Sequence, residues 1–133
     1  MSRPMFAVGE HVLGQVPEAC VRMASLLAGG VGGSQQELCG ALTAGVLIIG
    51  GLLGRRRPGE DDKPALALAA RYRERFLAEL GATQCARVRE LTKVRVPSGS
   101  CAQVVERAAA IVLGLLEEVR QQDFQREPCS EKG

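Results

Sequence analysis

Residues 34–54 read SQQELCGALTAGVLIIGGLLG and join a polar start to the most apolar stretch of the chain. Ser34 and Glu37 have the spacing of a capping box, which predicts a helix from Ser34 through Leu53. This helix would be apolar on nearly all sides, which is typical of a central, buried element. The expectation is that Leu47→Asp unfolds the protein, because it would bury an unpaired charge.

The rest of the sequence also has a helical pattern, and no strand pattern is credible. The expected fold is therefore all-α: one compact bundle of about five helices, with the glycine-rich helix buried at its centre. The whole chain, 1–133, is expected to form a single helical domain, with residues 125–133 as a flexible tail. Besides 34–53, the predicted helices cover 5–13, 17–28, 64–80 and 100 onwards, with a short helical turn over 84–93. Gly81 is expected to end the helix at 64–80, and the predicted buried stripe of that helix is Ala65, Ala69, Tyr72, Phe76 and Leu80. The predicted stripe of the last helix is Cys101, Val105, Ala108, Val112, Leu115 and Val119.

Composition narrows the class of protein. Of the 133 residues, 46% are hydrophobic but only 3% are aromatic, which favours close-packed helices. The net charge of +2 is too balanced for a nucleic-acid-binding protein. The apolar run at 40–54 is shorter than the roughly 20 residues of a membrane span, and the start of the chain does not read as a secretory signal. A cytoplasmic protein is expected, and a membrane segment is not.

The chain has five cysteines, and three of them fall near predicted helix starts. A helix N-terminus carries unpaired N–H groups and a positive dipole end, which favour thiolate over thiol. Inert, buried core cysteines are the alternative. No CxxC pair and no Cys/His zinc pattern is present, and an odd count argues against a secreted disulfide scaffold. The three cysteines near predicted helix starts are Cys39, Cys85 and Cys101. Thr83 is the candidate N-cap before Cys85, and Ser100 is the candidate N-cap before Cys101.

One glycine cluster precedes the predicted central helix, and a second lies within it. Four glycines at 29–33 favour close backbone packing and a positive-φ helix end over a phosphate-binding loop, because no Lys-Ser/Thr pair follows. Gly45, Gly50 and Gly51 predict close approach of a neighbouring element to one side of the helix. His11, the single histidine, is interpreted as an ordinary surface or satisfied side chain.

Together, GGVGGSQQELCGALTAGVLIIGGLLG and the two later cysteine segments resemble a family of small redox-active proteins known by the cysteine pattern C, CGAxxG, C, C. A related module occurs in split-Soret cytochromes. Cys39 carries the middle motif, and Cys85 and Cys101 carry the third and fourth cysteines. Ala44 stands where the motif ends in glycine. The first cysteine would fall at or just before Met1.

The resemblance implies a redox function, by dithiol/disulfide chemistry or by binding an iron–sulfur cluster. The same three cysteines would be the redox thiols or the metal ligands, and Gly40 would help to bind the cofactor. They are expected to converge on one site with Cα separations of roughly 5–10 Å. With one family cysteine missing, a four-thiolate cluster would lack a ligand.

The alternative function is a non-catalytic helical interaction module with packing cysteines. Whether the protein is an enzyme is left open, as is the identity of an electron-transfer or thiol partner; a homodimer is one option. Without metal, Cys101 is expected to react before Cys20, because its thiolate gains most from the helix N-terminus.

Overall fold

The computed structural model describes residues 3–95 and 101–130, and side chains over 5–94 and 101–122. Within these residues the protein has six α-helices and no strand beyond one isolated bridge, so the all-α prediction is confirmed. The number of helices is six because 85–95, predicted as a short turn, forms three turns of helix. The helices are α1 (Arg3–Leu13), α2 (Glu18–Ser25), α3 (Gly40–Leu53), α4 (Lys63–Leu80), α5 (Cys85–Arg95) and α6 (Cys101–Ser130).

Helix α3 lies between α1, α4 and α6, and these four helices form the core. The apolar stripe predicted for α4 is confirmed at Tyr72, Phe76 and Leu80, which are all buried. No helix in 3–95 or 101–130 combines the length and apolarity needed to cross a membrane. The buried face of α3 consists of Ala41, Leu42, Ala44, Gly45, Ile48 and Ile49.

The start of α3 differs from the prediction. The Ser34 hydroxyl donates to the carbonyl of Gly30 (2.7 Å) and accepts from the Gln36 N–H (3.2 Å), so it closes a turn instead of capping a helix. The helix begins at Gly40 and ends at its C-cap, Gly54. Residues 34–39 are left to form the connection on which the candidate site is built.

The outer face of α3 corrects a second prediction. Ile49 is 1% exposed, but Leu47 is 46% exposed, and Val46, Leu52 and Leu53 are also exposed. Helix α3 is central, as predicted, but the expectation that Leu47→Asp would bury an unpaired charge is wrong. The physical reason at Leu47 is that it lines, together with α2 residues such as Cys20 and Ala24, a cavity of about 560 Å³, so this part of α3 faces open space.

We therefore expect Leu47→Asp and Ile49→Asp to differ sharply. The Ile49 variant buries an unpaired carboxylate in the core and should lose its cooperative thermal transition. The Leu47 variant places the charge in water and should stay folded, with a change in unfolding free energy of about 1 kcal/mol or less. Thermal melts followed by circular dichroism test the pair; equal melts would contradict the assigned faces of α3.

Candidate thiol site

An isolated antiparallel bridge between Leu38 and Gln84 joins the segments that precede α3 and α5. The Cys39 N–H donates to the Thr83 carbonyl (2.8 Å), and the Cys85 N–H donates to the Glu37 carbonyl (2.8 Å). Successive residues of paired extended segments point to opposite sides. Leu38 and Gln84 are exposed, and the cysteines that follow them both point inward, half-buried and buried. The bridge thus sets two thiols on the same side of adjacent helix starts.

All three predicted cysteines lie at helix N-termini. Cys39 is the N-cap of α3, with φ −56° and ψ 135°, and so lies one turn closer to the helix end than predicted. Cys85 is the first residue of α5, and Gln84 instead of Thr83 accepts the first helical hydrogen bond, from the Val88 N–H (2.9 Å). Cys101 is the first residue of α6. The predicted cap at residue 100 lies outside the described residues.

Cys39 is the thiol whose environment the structure defines best. Burial raises the pKa of Cys39 above its ordinary value and is the largest influence on it. The amide groups of Ala41 and Leu42 lower this pKa, although the contact falls short of a full capping hydrogen bond. Because burial outweighs the two amides, the sequence-based expectation of a favoured thiolate is wrong in net direction at Cys39.

The other two helix-start cysteines also act on Cys39. Negative charge on Cys85 and on Cys101 raises the pKa of the Cys39 thiol, so the three sulfurs share one electrostatic neighbourhood. Cys20 is exposed on α2, at the wall of the apolar cavity, and is not among the groups that act on Cys39. Cys85 and Cys101 therefore influence the pKa of Cys39 and Cys20 does not, while the convergence of the three cysteines on one site stays a prediction. The predicted 5–10 Å spacing stays a prediction.

The three thiols differ in exposure. Cys85 is 6% exposed, Cys39 is half-buried and Cys101 is exposed. The exposed position of Cys101 corrects the prediction that it begins the buried stripe of the last helix. Exposure makes Cys101 the thiol that a reagent or partner meets first.

The glycine-rich loop covers Cys85. Residues 29–33 all have φ between 63° and 72°, including the β-branched Val31, so the backbone makes a continuous left-handed turn. A Cβ on Gly30 would lie 2.7 Å from the Cβ of Cys85. The predicted close packing and positive φ are confirmed, and only glycine at position 30 lets the loop lie directly on this thiol.

The same loop is not arranged to bind phosphate. Three of its N–H groups already donate to carbonyls of the preceding turn, at distances of 2.8–3.2 Å. A phosphate-binding loop needs such N–H groups free to point at the ligand. This argues for the packing interpretation over anion binding. The donors are Val31, Gly32 and Gly33, and the acceptors are Leu27, Leu26 and Ala28 in that order.

Tyr72 is a site residue that the sequence did not reveal as one. Its hydroxyl donates to the Ala41 carbonyl (2.8 Å), two residues beyond Cys39, and its side chain is fully buried. A Cβ on Gly45 would overlap the Tyr72 ring, so the predicted close approach to the glycine side of α3 is confirmed there. Burial, and then negative charge on Cys39, raise the pKa of Tyr72. Periodicity predicted a core position for Tyr72 but gave no sign of this hydrogen bond.

The remaining candidates lie elsewhere or stay untested. His11 is exposed on α1. A Cβ on Gly40 would lie 3.2 Å from the Cα of Ala28, which gives this glycine a packing reason. A role of Gly40 in cofactor binding stays a prediction. The side chain of Cys129 lies outside the described residues.

A metal site is not formed by the described side chains as they are arranged here. Across them, no group of three or more His, Cys, Asp or Glu is placed to hold a metal ion. The three cysteines alone also fall short of the four thiolates that iron–sulfur clusters commonly use. Iron–sulfur binding therefore stays a prediction.

Comparison with known proteins assigns this chain to a family. The model of the family described as "Putative redox-active protein (C_GCAxxG_C_C)" matches residues 2–115. The chain belongs to this family. Its cysteine pattern ends in two single cysteines, as Cys85 and Cys101 follow Cys39 here. The family description writes the middle motif as GCAxxG, whereas this chain has Leu38 before Cys39 and Gly40 after it. No curated protein and no solved structure matches the chain.

The loop contains two glycines of nearly equal φ whose replacement by alanine should affect the alkylation rate of Cys85 differently. Gly30→Ala should push the loop away from Cys85 and speed alkylation of that thiol, because its Cβ meets the Cys85 side chain and Gln35. Gly33→Ala has the same backbone strain, with φ +72°, but meets no atom within 4 Å. It should lower the melting temperature without exposing Cys85. Site-resolved alkylation followed by peptide mass spectrometry gives the result, and equal Cys85 rates in the two variants would contradict the contact.

The direction of the pKa shift predicts how Cys39 reacts with pH. Because its pKa is raised, the reduced Cys39 thiol should stay protonated through neutral pH, and its alkylation rate should keep rising above the ordinary thiol pKa of about 8.5. Above the ordinary thiol pKa, Cys39 ionises in the unfolded chain but not in the folded protein, because burial disfavours its thiolate. The free energy of unfolding should therefore fall as the pH rises above that value. A rate that levels off below about pH 8 would contradict the dominance of burial.

Proposed function

We propose that this protein is a thiol redox protein that transfers two electrons through a reversible disulfide containing Cys39. Membership of the redox-active family supports the redox class. The observation that supports this particular chemistry is that Cys85 and Cys101 both act electrostatically on Cys39. In this proposal Cys39, the thiol on which both of the others act, is the common partner for disulfide formation.

The order of exposure suggests how the thiols divide the reaction. Cys101 is exposed and can reach a disulfide on another molecule, whereas Cys85 is covered by the glycine-rich loop. Cys39 lies between these extremes, half-buried at the N-cap of α3. In this scheme Cys101 forms the mixed disulfide with the partner, Cys39 is the resolving thiol that breaks it, and Cys85 is a second internal thiol.

The first step is thiol–disulfide exchange with a disulfide-bearing partner. The Cys101 thiolate attacks one sulfur of the partner disulfide. The partner S–S bond breaks, a Cys101–partner S–S bond forms, and one partner thiolate leaves and takes a proton.

The second step closes the intramolecular disulfide. The Cys39 thiolate attacks Sγ of Cys101, which breaks the bond to the partner and releases the second partner thiolate to be protonated. In total the protein dithiol loses two electrons and two protons, and the partner disulfide gains them. The Ala41 and Leu42 amides would stabilise the Cys39 thiolate as it forms. Cys85 can then attack Sγ of Cys39, which forms a Cys39–Cys85 disulfide, breaks the Cys39–Cys101 bond and releases Cys101 as a thiolate that takes a proton.

This scheme predicts which disulfides form. Treatment of the reduced protein with oxidised glutathione should give an intramolecular disulfide from Cys39 to Cys101 or to Cys85, identified by non-reducing peptide mass spectrometry. Cys39→Ser should abolish both bonds. Cys101→Ser and Cys85→Ser should each leave the other bond.

Cys20→Ser is the matched control, since this cysteine is exposed but apart from the group. It should leave the disulfide pattern unchanged. A Cys85–Cys101 disulfide in the Cys39→Ser protein would remove Cys39 from its central role. Thiols that all stay reduced would favour the non-catalytic interaction module, and stoichiometric iron in anaerobically purified protein would favour the cluster.

A further inference from the structure

The cavity of about 560 Å³ separates α2 from α1 and α3. Its walls include Phe6 from α1, Val21 from α2, and Leu47 and Ile48 from α3. Within α2 the buried residue is Ala24, so most of the space beneath this helix is open instead of being filled by core side chains. The volume lies in the range of roughly 300–1,000 Å³ that small-molecule sites occupy, and such sites often form between helices.

The cavity is held open because the α2 segment is fixed on α3 at both of its ends. Before α2, Leu13 packs on Gly51, where a Cβ would lie 2.9 Å from Cδ1 of the leucine. After α2, a Cβ on Gly40 would lie 3.2 Å from the Cα of Ala28. Gly40 and Gly51 lie on the same helix at a separation of about 16 Å along its axis. The segment from 13 to 28 therefore crosses α3 lengthwise and cannot collapse onto it.

The lining of the cavity selects for a neutral ligand. Among the described residues that line it, none is Lys, Arg, His, Asp or Glu. The polar side chains are the Gln15 amide and the Cys20 thiol. A charged ligand would lose its hydration here without gaining a charged partner, which is costly. An apolar molecule gains by leaving water, and the Gln15 amide can both donate to and accept from one neutral polar group.

The crossing by α2 also limits the shape of the ligand. A helix with its side chains is about 10–12 Å across, so a helix of a partner protein cannot pass beneath α2. A single hydrocarbon chain is much thinner and can lie along α3 in the space that the two anchored ends leave. Met23, which is largely exposed, lines the cavity, and its flexible side chain can fold over such a chain.

We propose that this cavity binds a neutral, elongated apolar molecule of the fatty-alcohol type. Its hydrocarbon chain lies between α2 and α3, and its polar end meets the Gln15 amide. The site is separate from Cys39, Cys85 and Cys101, none of which lines the cavity. The inference therefore does not rest on the proposed thiol function.

The first test uses Nile red, an uncharged fluorescent probe, with the full-length protein. n-Decanol should displace the probe, and decanoate at pH 7 should do so at least about tenfold more weakly, because its charge would be buried without a partner. Saturating n-decanol should also raise the melting temperature, since a ligand that binds only the folded state stabilises it. Equal displacement by the alcohol and the carboxylate, or no displacement by the alcohol, would overturn the inference.

Val21→Phe and Ala19→Phe form a matched pair on α2. Val21 is half-buried and lines the cavity, whereas Ala19 is exposed and does not. Val21→Phe places its ring in the cavity and should abolish the thermal shift caused by n-decanol. Ala19→Phe places the same ring in water and should keep that shift. A shift kept by both variants would put the alcohol on another apolar surface, and a shift lost from both would mean that the cavity does not decide binding; either result contradicts the proposal.

Cys20 gives a readout that needs no substitution. Its thiol is exposed at the cavity wall, so saturating n-decanol should slow its alkylation by iodoacetamide severalfold. Cys101 is exposed on α6 and should keep its rate. An unchanged rate at Cys20 would place the alcohol outside the cavity. A dimer that protects Cys20 without added alcohol would make the cavity an interface between two copies of the chain, and would also overturn the inference.

Discussion

The short bridge between Leu38 and Gln84 is the constraint on which the site depends. It ties the segment before α3 to the segment before α5, 46 positions apart in sequence, by two backbone hydrogen bonds. Alternation along the bridge then turns Cys39 and Cys85 to the same, inward side. A single bridge would not be stable alone. The packing of α3 and of α5 against α4 and α6, and the side-chain bond from Gln84 to the Gln36 carbonyl (2.9 Å), hold it in place.

Much of the fold follows from periodicity. The stripe of Tyr72, Phe76 and Leu80 identified α4 and its buried face, and Gly81, with φ +83°, ends it as expected. Periodicity fails where burial depends on a particular neighbour. Leu47 belongs to a run as apolar as any core helix, but its exposure depends on the cavity that it lines together with α2, which no pattern in α3 encodes.

The residues of the candidate site could be predicted from the sequence, but the start of α3 and the direction of the Cys39 pKa shift could not. Placement at helix starts selected Cys39, Cys85 and Cys101, and the structure has them at the starts of α3, α5 and α6. The start of α3 was misplaced because Ser34 and Glu37 imitate a capping box while Ser34 bonds to Gly30. The sign of the shift at Cys39 could not be predicted, because a sequence reveals a helix end but not how deeply it is buried.

Two close contacts of the site could be recognised only from the three-dimensional structure. Nothing local in the sequence indicates that Gly30 must pass beside Cys85, or that Gly45 must leave space for a ring from α4. Both are long-range steric requirements. They explain why glycine, which costs up to about 1 kcal/mol against alanine inside a helix, stands at position 45.

The exposed outer face of α3 has a thermodynamic consequence. The heat-capacity increase on unfolding comes from apolar surface that meets water only in the unfolded chain. Leu47, Leu52 and Leu53 are already partly hydrated in the native protein and contribute less to it than core residues do. The stability curve of this protein should consequently be flatter than that of a protein of equal length with a fully covered central helix. Its free energy of unfolding would then change less steeply on both cooling and heating.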